Sequence, residues 1–170
     1  MGEEEEEIAE VVQKHGWYAL SIAEGEDRQP SFLYSIGLMQ SCKHPELIMF
    51  GQEPSSVHAL FSELYRQIRS GRSFAEPCVQ TVSMVGVEHR VGFREVHPTQ
   101  HPVYLGYAMG YCRYLGRMSE LKATQAFWPD RSGKFPFEVG CDLSVCELQP
   151  RLDLGLTPRE SEQFKRKQRI

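Results

Sequence analysis

The chain has no long hydrophobic run. No stretch approaches the roughly 18 apolar residues that a spanning helix needs, so a transmembrane role is not expected. It also lacks the glycine-rich phosphate loops G-x-x-x-x-G-K-[ST] and G-x-G-x-x-G, and the G-x-S-x-G elbow of a serine nucleophile. Its glycines stand singly, as turns and helix stops require. Cysteines are few and odd in number, five in all (Cys42, Cys78, Cys112, Cys141 and Cys146), so a complete disulfide framework is not expected. The opening MGEEEEE has neither the basic nor the apolar region of a secretory signal, and Glu6 stands where N-myristoylation needs Ser or Thr. These features predict a cytoplasmic protein with free thiols. Charge of one sign is scarce as well. A net charge of −4 gives no general pull toward nucleic acid or an anionic membrane. The exceptions are an acidic run at Glu3 to Glu7 and a basic run at Lys165 to Arg169.

What is present suffices for one core. With 170 residues, 41% hydrophobic and 11% aromatic, the chain fits a single domain. We expect that domain over 1–140, followed by an irregular tail over 141–170. Ile8, Val11, Val12 and His15 mark one helical face, stopped by Gly16. Alternation over 17–23 and 32–37 predicts two strands of a hairpin, joined by the polar turn Glu24 to Pro30. The apolar run 47–50 reads as a short strand covered on both faces. Pro54-Ser55-Ser56 opens the clearest helix, with the stripe Val57, Leu60, Phe61, Leu64 and Ile68. Two strands over 79–87 and 89–96 turn around Gly86. A third helix starts near Pro102, carries Leu105, Ala108, Met109, Cys112 and Leu115, and stops at Gly116. The stretch 122–128 is the last strand. This order predicts an α+β fold: a mixed or antiparallel sheet of about five to six strands with two to three helices packed on it.

Several side chains carry candidate chemistry. His97 and His101 have the i, i+4 spacing of a zinc pair, but Pro98 and Pro102 place them at a loop-to-helix junction, and no metal is expected. Cys141 and Cys146 lack a second pair at zinc spacing, and Cys112 reads as a small core residue. His58 falls off its helix's stripe and reads as solvated. Gln125 sits within an apolar strand, so its amide must find partners. The stretch from Gln125 to Phe137 gathers aromatics, an acid, bases and prolines around one Asp-x-x-Gly turn, which suits either a rigid structural turn or a pocket rim.

Four segments in order resemble the bacterial family labelled domain of unknown function 4262. They are His15-Gly16-Trp17; Phe32-x-Tyr34-x-Ile36-Gly37-Leu38; His44-Pro45-Glu46-Leu47; and the stretch from Gln125 to Phe137. Ser35 stands where the family usually has Thr, and Phe137 where it has Trp. The resemblance spans about residues 8–140. It implies no established reaction, and it implies relatives some of which stand beside toxins as immunity or defence-associated proteins.

The residues lean toward a non-catalytic binding protein with a protein or small-molecule partner, no cofactor and no membrane or nucleic-acid partner. The alternative is a flavin- or nucleotide-binding enzyme of split-barrel type, suggested by element order alone. Trp17 opens the first strand, His44 precedes the third, and Trp128, Asp130 and Arg131 close the last. We therefore expect Trp17, Tyr34, His44, Trp128, Asp130 and Arg131 to line one shared pocket at a sheet edge.

Overall fold

The computed structural model describes residues 2–25 and 29–169, so the middle of the expected turn at 24–30 lies outside the described residues. Helix α1 (Glu3–His15) leads into β1 (Tyr18–Ile22), β2 (Phe32–Ile36), the short α2 (Leu38–Cys42) and β3 (Glu46–Phe50). Then come α3 (Pro54–Arg69), β4 (Cys78–Met84), β5 (Val87–Glu95), the consecutive helices α4 (His101–Tyr104) and α5 (Gly106–Tyr114), and β6 (Ala123–Phe127). Two further helices follow, α6 (Leu143–Leu148) and α7 (Pro158–Gln168). The fold is α+β, with a six-stranded mixed sheet in the order β1-β2-β3-β6-β5-β4. Only β3 and β6 run parallel; the other neighbours are antiparallel.

Alternation along the strands divides the core in two. Leu33, Leu47, Met49, Val91, Phe93 and Ala126 face α3, which lays down Val57, Leu60, Phe61, Leu64 and Ile68 against them. Tyr34, Ile36, Ile48 and Phe50 face the other way, onto Ile8 and Val12 of α1 and Leu105, Ala108 and Cys112 around α5. Helices thus cover both faces, and the terminal strands β1 and β4 do not pair with each other. The sheet is open, so it is not the barrel of the alternative reading.

Three details differ from the sequence reading. The third helix is broken at Leu105, whose φ of −111° and ψ of 34° leave the helical range and separate α4 from α5. Seven α-helices, more than the two to three expected, occur among the described residues. Four of these are α2, α4, α6 and α7, elements too short or too polar to show an apolar stripe. The stretch 141–170, expected to be irregular, carries α6 and α7. Asp142 caps α6 through Ser144 N, and Thr157 with Glu160 forms a capping box for α7. Between these helices the chain is held by buried polar bonds: Gln125 donates to Pro150 O (2.7 Å) and accepts from Leu152 N (2.9 Å). Leu152 is buried beside them. An apolar-periodicity reading cannot see such ties.

Candidate functional site

The strand register separates the two ends of the sheet. Tyr18 pairs with Ile36 and Glu46 with Ala123 at one end; Ile22 pairs with Phe32, Phe32 with Phe50, and Phe127 with Gly92 at the other. Trp17 and His44 therefore stand at the first end, and Trp128, Asp130 and Arg131 at the second. Tyr34 lies between them on the α5 face, where its hydroxyl accepts from Tyr107 N (3.2 Å). Burial holds that hydroxyl's pKa above its ordinary value. The six residues do not form one pocket: β1, β3 and β6 run the same way, so Trp17 and His44, which precede β1 and β3, lie at the opposite end from Trp128, Asp130 and Arg131, which follow β6.

The first end is closed. Glu46 opens β3 and is wholly buried, and its carboxylate accepts from Ser35 Oγ (2.9 Å), Gly37 N (2.9 Å) and Leu38 N (3.0 Å). Ser35 Oγ in turn accepts from Leu47 N (2.9 Å). Gly37 sits at φ 108°, and a Cβ there would meet Val12 Cγ2 at 2.5 Å, so this turn needs glycine. Burial drives the Glu46 pKa up and the donors pull it back, leaving it at about 7. Next door, buried His44 accepts from Phe74 N at Nε2 (3.0 Å), and its Nδ1 lies 2.8 Å from Pro45 O. Both contacts fit the neutral ring with the proton on Nδ1, and burial keeps its pKa below the usual histidine value. Trp17 packs its ring against Phe61 and His58 of α3. Glu46, His44 and Trp17 are all buried, and His58 is exposed.

The second end is partly open. Asp130 is a structural knot: Oδ1 accepts from Ser132 N (2.9 Å), Ser132 Oγ (2.8 Å) and Lys134 N (2.9 Å), and Oδ2 from Asp142 N (2.8 Å). These bonds hold its pKa well below the usual carboxylate range. Arg131 is exposed beside it. Trp128 differs. Its indole N–H donates to Phe50 O (2.8 Å), its backbone N–H donates to Gln149 Oε1 (3.0 Å), and its carbonyl accepts from Gln149 Nε2 (2.9 Å). The ring is thereby fixed as one wall of a cleft of about 530 Å³ between α3 and the β4–β5 hairpin.

That cleft is the candidate site. Its apolar surface comes from Met49, Val57, Leu60, Met84 and Val91, with Trp128 and Pro129 at one side. Gln52 just ahead of α3, Ser56 in its first turn, and Glu88, His89 and Arg90 on β5 add polar groups. Of the six residues expected from the sequence, only Trp128 lines it. The others were missed because β5 outruns β6, which ends opposite Gly92, and that length difference is a property of pairing. Among the described residues there is no group of three or more His, Cys, Asp or Glu placed to hold a metal. No described helix is long and apolar enough to cross a membrane.

Comparisons with known proteins add one finding. No curated protein and no solved structure matches the chain. The motifs singled out in the sequence occupy the closed end (Gly16, Ser35, Gly37, His44, Glu46) and the Asp130 turn that follows Trp128, so they describe how this fold is tied together. A model of the family described as Domain of unknown function (DUF4262) matches residues 11–142, most of the chain, and the protein belongs to that family.

Proposed function

We propose that this protein is a non-catalytic binding module whose cleft takes an apolar group bearing a polar or charged tip, from a small molecule or a partner protein. The cleft itself supports this: apolar side chains line its depth, a hydrogen-bonded Trp128 forms a rigid wall, and His89 and Arg90 stand exposed at its margin. Tryptophan and arginine are the side chains that most often anchor binding energy. The groups with displaced pKa values at the closed end, Glu46 and His44, are buried and committed to backbone donors and acceptors, which suits a scaffold role.

A naphthalene sulfonate dye provides a defined probe, with an apolar body and an anionic tip. It should bind the wild type and shift the emission of Trp128. Ala59, exposed on the cleft side of α3, can be replaced by tryptophan without entering the core. Ala59→Trp should abolish dye binding at an unchanged melting temperature. Equal binding by both proteins would overturn the reading. Native mass spectrometry of gently purified protein, with and without Ala59→Trp, then identifies any retained natural ligand.

A further inference from the structure

The two outer strands of the sheet are not alike. β1 is mostly half-buried, with only Ser21 exposed. β4 is longer, and Val79, Thr81 and Ser83 are all exposed along it. Edge strands in folded proteins normally carry a charge, a proline or a bulge that discourages pairing. β4, with the sequence CVQTVSM, has none of these, and its register with β5 runs unbroken from Cys78 to Met84.

Its backbone is free on the outer side. The turn residues Val85 and Gly86 both have positive φ (49° and 75°), the signature of a two-residue hairpin whose flanking residues exchange hydrogen bonds. Met84 and Val87 are that pair. Alternation then points the N–H and C=O of Gln80 and Val82 toward β5, and those of Val79, Thr81 and Ser83 outward. No backbone bond from another element reaches them among the described residues.

The hairpin tip breaks two further rules. Val85 is a β-branched residue in left-handed backbone, where Asn, Asp or Gly is favoured, and it is fully exposed at 102%. Its full exposure means that no described residue packs over it. Such strain collects where a contact uses it.

We propose that β4 pairs antiparallel with β4 of a second copy of this chain, about a two-fold axis at Thr81, joining two six-stranded sheets into one. The outward residues are self-complementary in this register. Thr81 meets Thr81 of the second copy and Val79 meets Ser83, so no like charges face each other across the seam. Threonine pairs of this kind are favourable across strands. Val85 comes opposite Pro77 of the second copy, an exposed apolar residue just ahead of β4. The contact is isologous and closes as a dimer. Because the axis stands normal to the sheet, both α3 faces and both clefts lie on the same side. The pairing does not depend on the cleft being occupied.

The test is sedimentation velocity over a wide concentration range, with hydrogen exchange read amide by amide. The full chain should pass from one-chain to two-chain mass, and the Val79, Thr81 and Ser83 amides should become protected in the dimer. Thr81→Lys places two lysines opposite each other and should weaken association by about tenfold or more. In that variant the outward amides lose protection, while those of Gln80 and Val82 keep it because they bond β5. Val85→Asn relieves the turn, so it should raise the melting temperature of the monomer yet weaken the dimer. A one-chain mass at every concentration would overturn the proposal. So would a dimer indifferent to Thr81→Lys, or a polymer that grows without limit, which would mark head-to-tail pairing of β4 with β1.

Discussion

At one end of the sheet, Glu46 is enclosed by Ser35, Gly37 and Leu38 and has no path to solvent; at the other, His89 and Arg90 stand exposed beside a cleft walled by Trp128. Both ends carry ionisable groups on or beside strands, yet those groups behave in opposite ways. The closed end spends its polar atoms on backbone partners, so its chemistry is stability. The open end exposes His89 and Arg90 beside an apolar surface, and recognition is the chemistry we propose for it. Displaced pKa values in this protein therefore mark the closed end at Glu46 and His44 and not the cleft. Glu46 has one because burial raises it against the pull of its hydrogen bonds.

The largest test of this contrast is removal of the buried carboxylate. Glu46→Ala leaves the Ser35, Gly37 and Leu38 donors unanswered inside the core and should cost roughly 3 to 5 kcal/mol, read as a shift in urea midpoint. A loss under about 1 kcal/mol would mean that water replaces the carboxylate and that the end is not closed.

Core truncation sets the scale beside it. Phe61→Ala and Leu105→Ala remove fully buried side chains, one from each face of the sheet, and should each cost about 2 to 5 kcal/mol. A cost confined to one of them would show that only one face contributes to global stability.

Acidity sharpens the comparison. Glu46 has a folded pKa of about 7 against an ordinary 4.5, so the folded state holds its proton more tightly than the unfolded state does. Its contribution is then fully present below about pH 4.5 and is lost as pH rises through 7, by up to roughly 3 kcal/mol. His44, lowered by burial, acts in the opposite sense and costs stability as pH falls below about 6.5. Urea midpoints at pH 5 and pH 8, compared between wild type and Glu46→Gln, isolate the first effect. The wild type should lose more stability than the variant on going to the higher pH. Parallel behaviour of the two proteins would remove Glu46 as a titrating group.

The smallest stability effects belong to the open end. His89→Ala and Arg90→Ala should change folding by no more than about 0.5 kcal/mol, as exposed substitutions do. Arg90 donates to Gly133 O (3.0 Å) at the surface and lies over the Phe135 ring at 5.4 Å, and these are the contacts the fold stands to lose. Both variants should weaken binding of the anionic dye. A large destabilisation would assign these residues to the scaffold and bring the two ends back into one class.

Much of the architecture was legible from residue order. The stripe Val57, Leu60, Phe61, Leu64 and Ile68 marked a helix with one buried face, and alternation, a short apolar run and turn residues located the strands to within a few residues. Glu46 was also within reach of the sequence, since a carboxylate opening a fully apolar strand must be answered by donors. The break at Leu105 and the anchored segment around Leu152 were not legible. Both depend on partners distant in the chain, Tyr34 meeting Tyr107 and Gln125 meeting Pro150 and Leu152.

The sequence by itself determined the periodicities, the turns that need glycine, the motifs of the family and hence the α+β class, because each rests on contacts among near neighbours. Only the tertiary structure decided which strand ends share a side of the molecule. Strand direction sent Trp17 and His44 away from Trp128, and the greater length of β5 over β6 opened the cleft. Neither follows from local pattern, since pairing partners and register are fixed by the whole sheet at once.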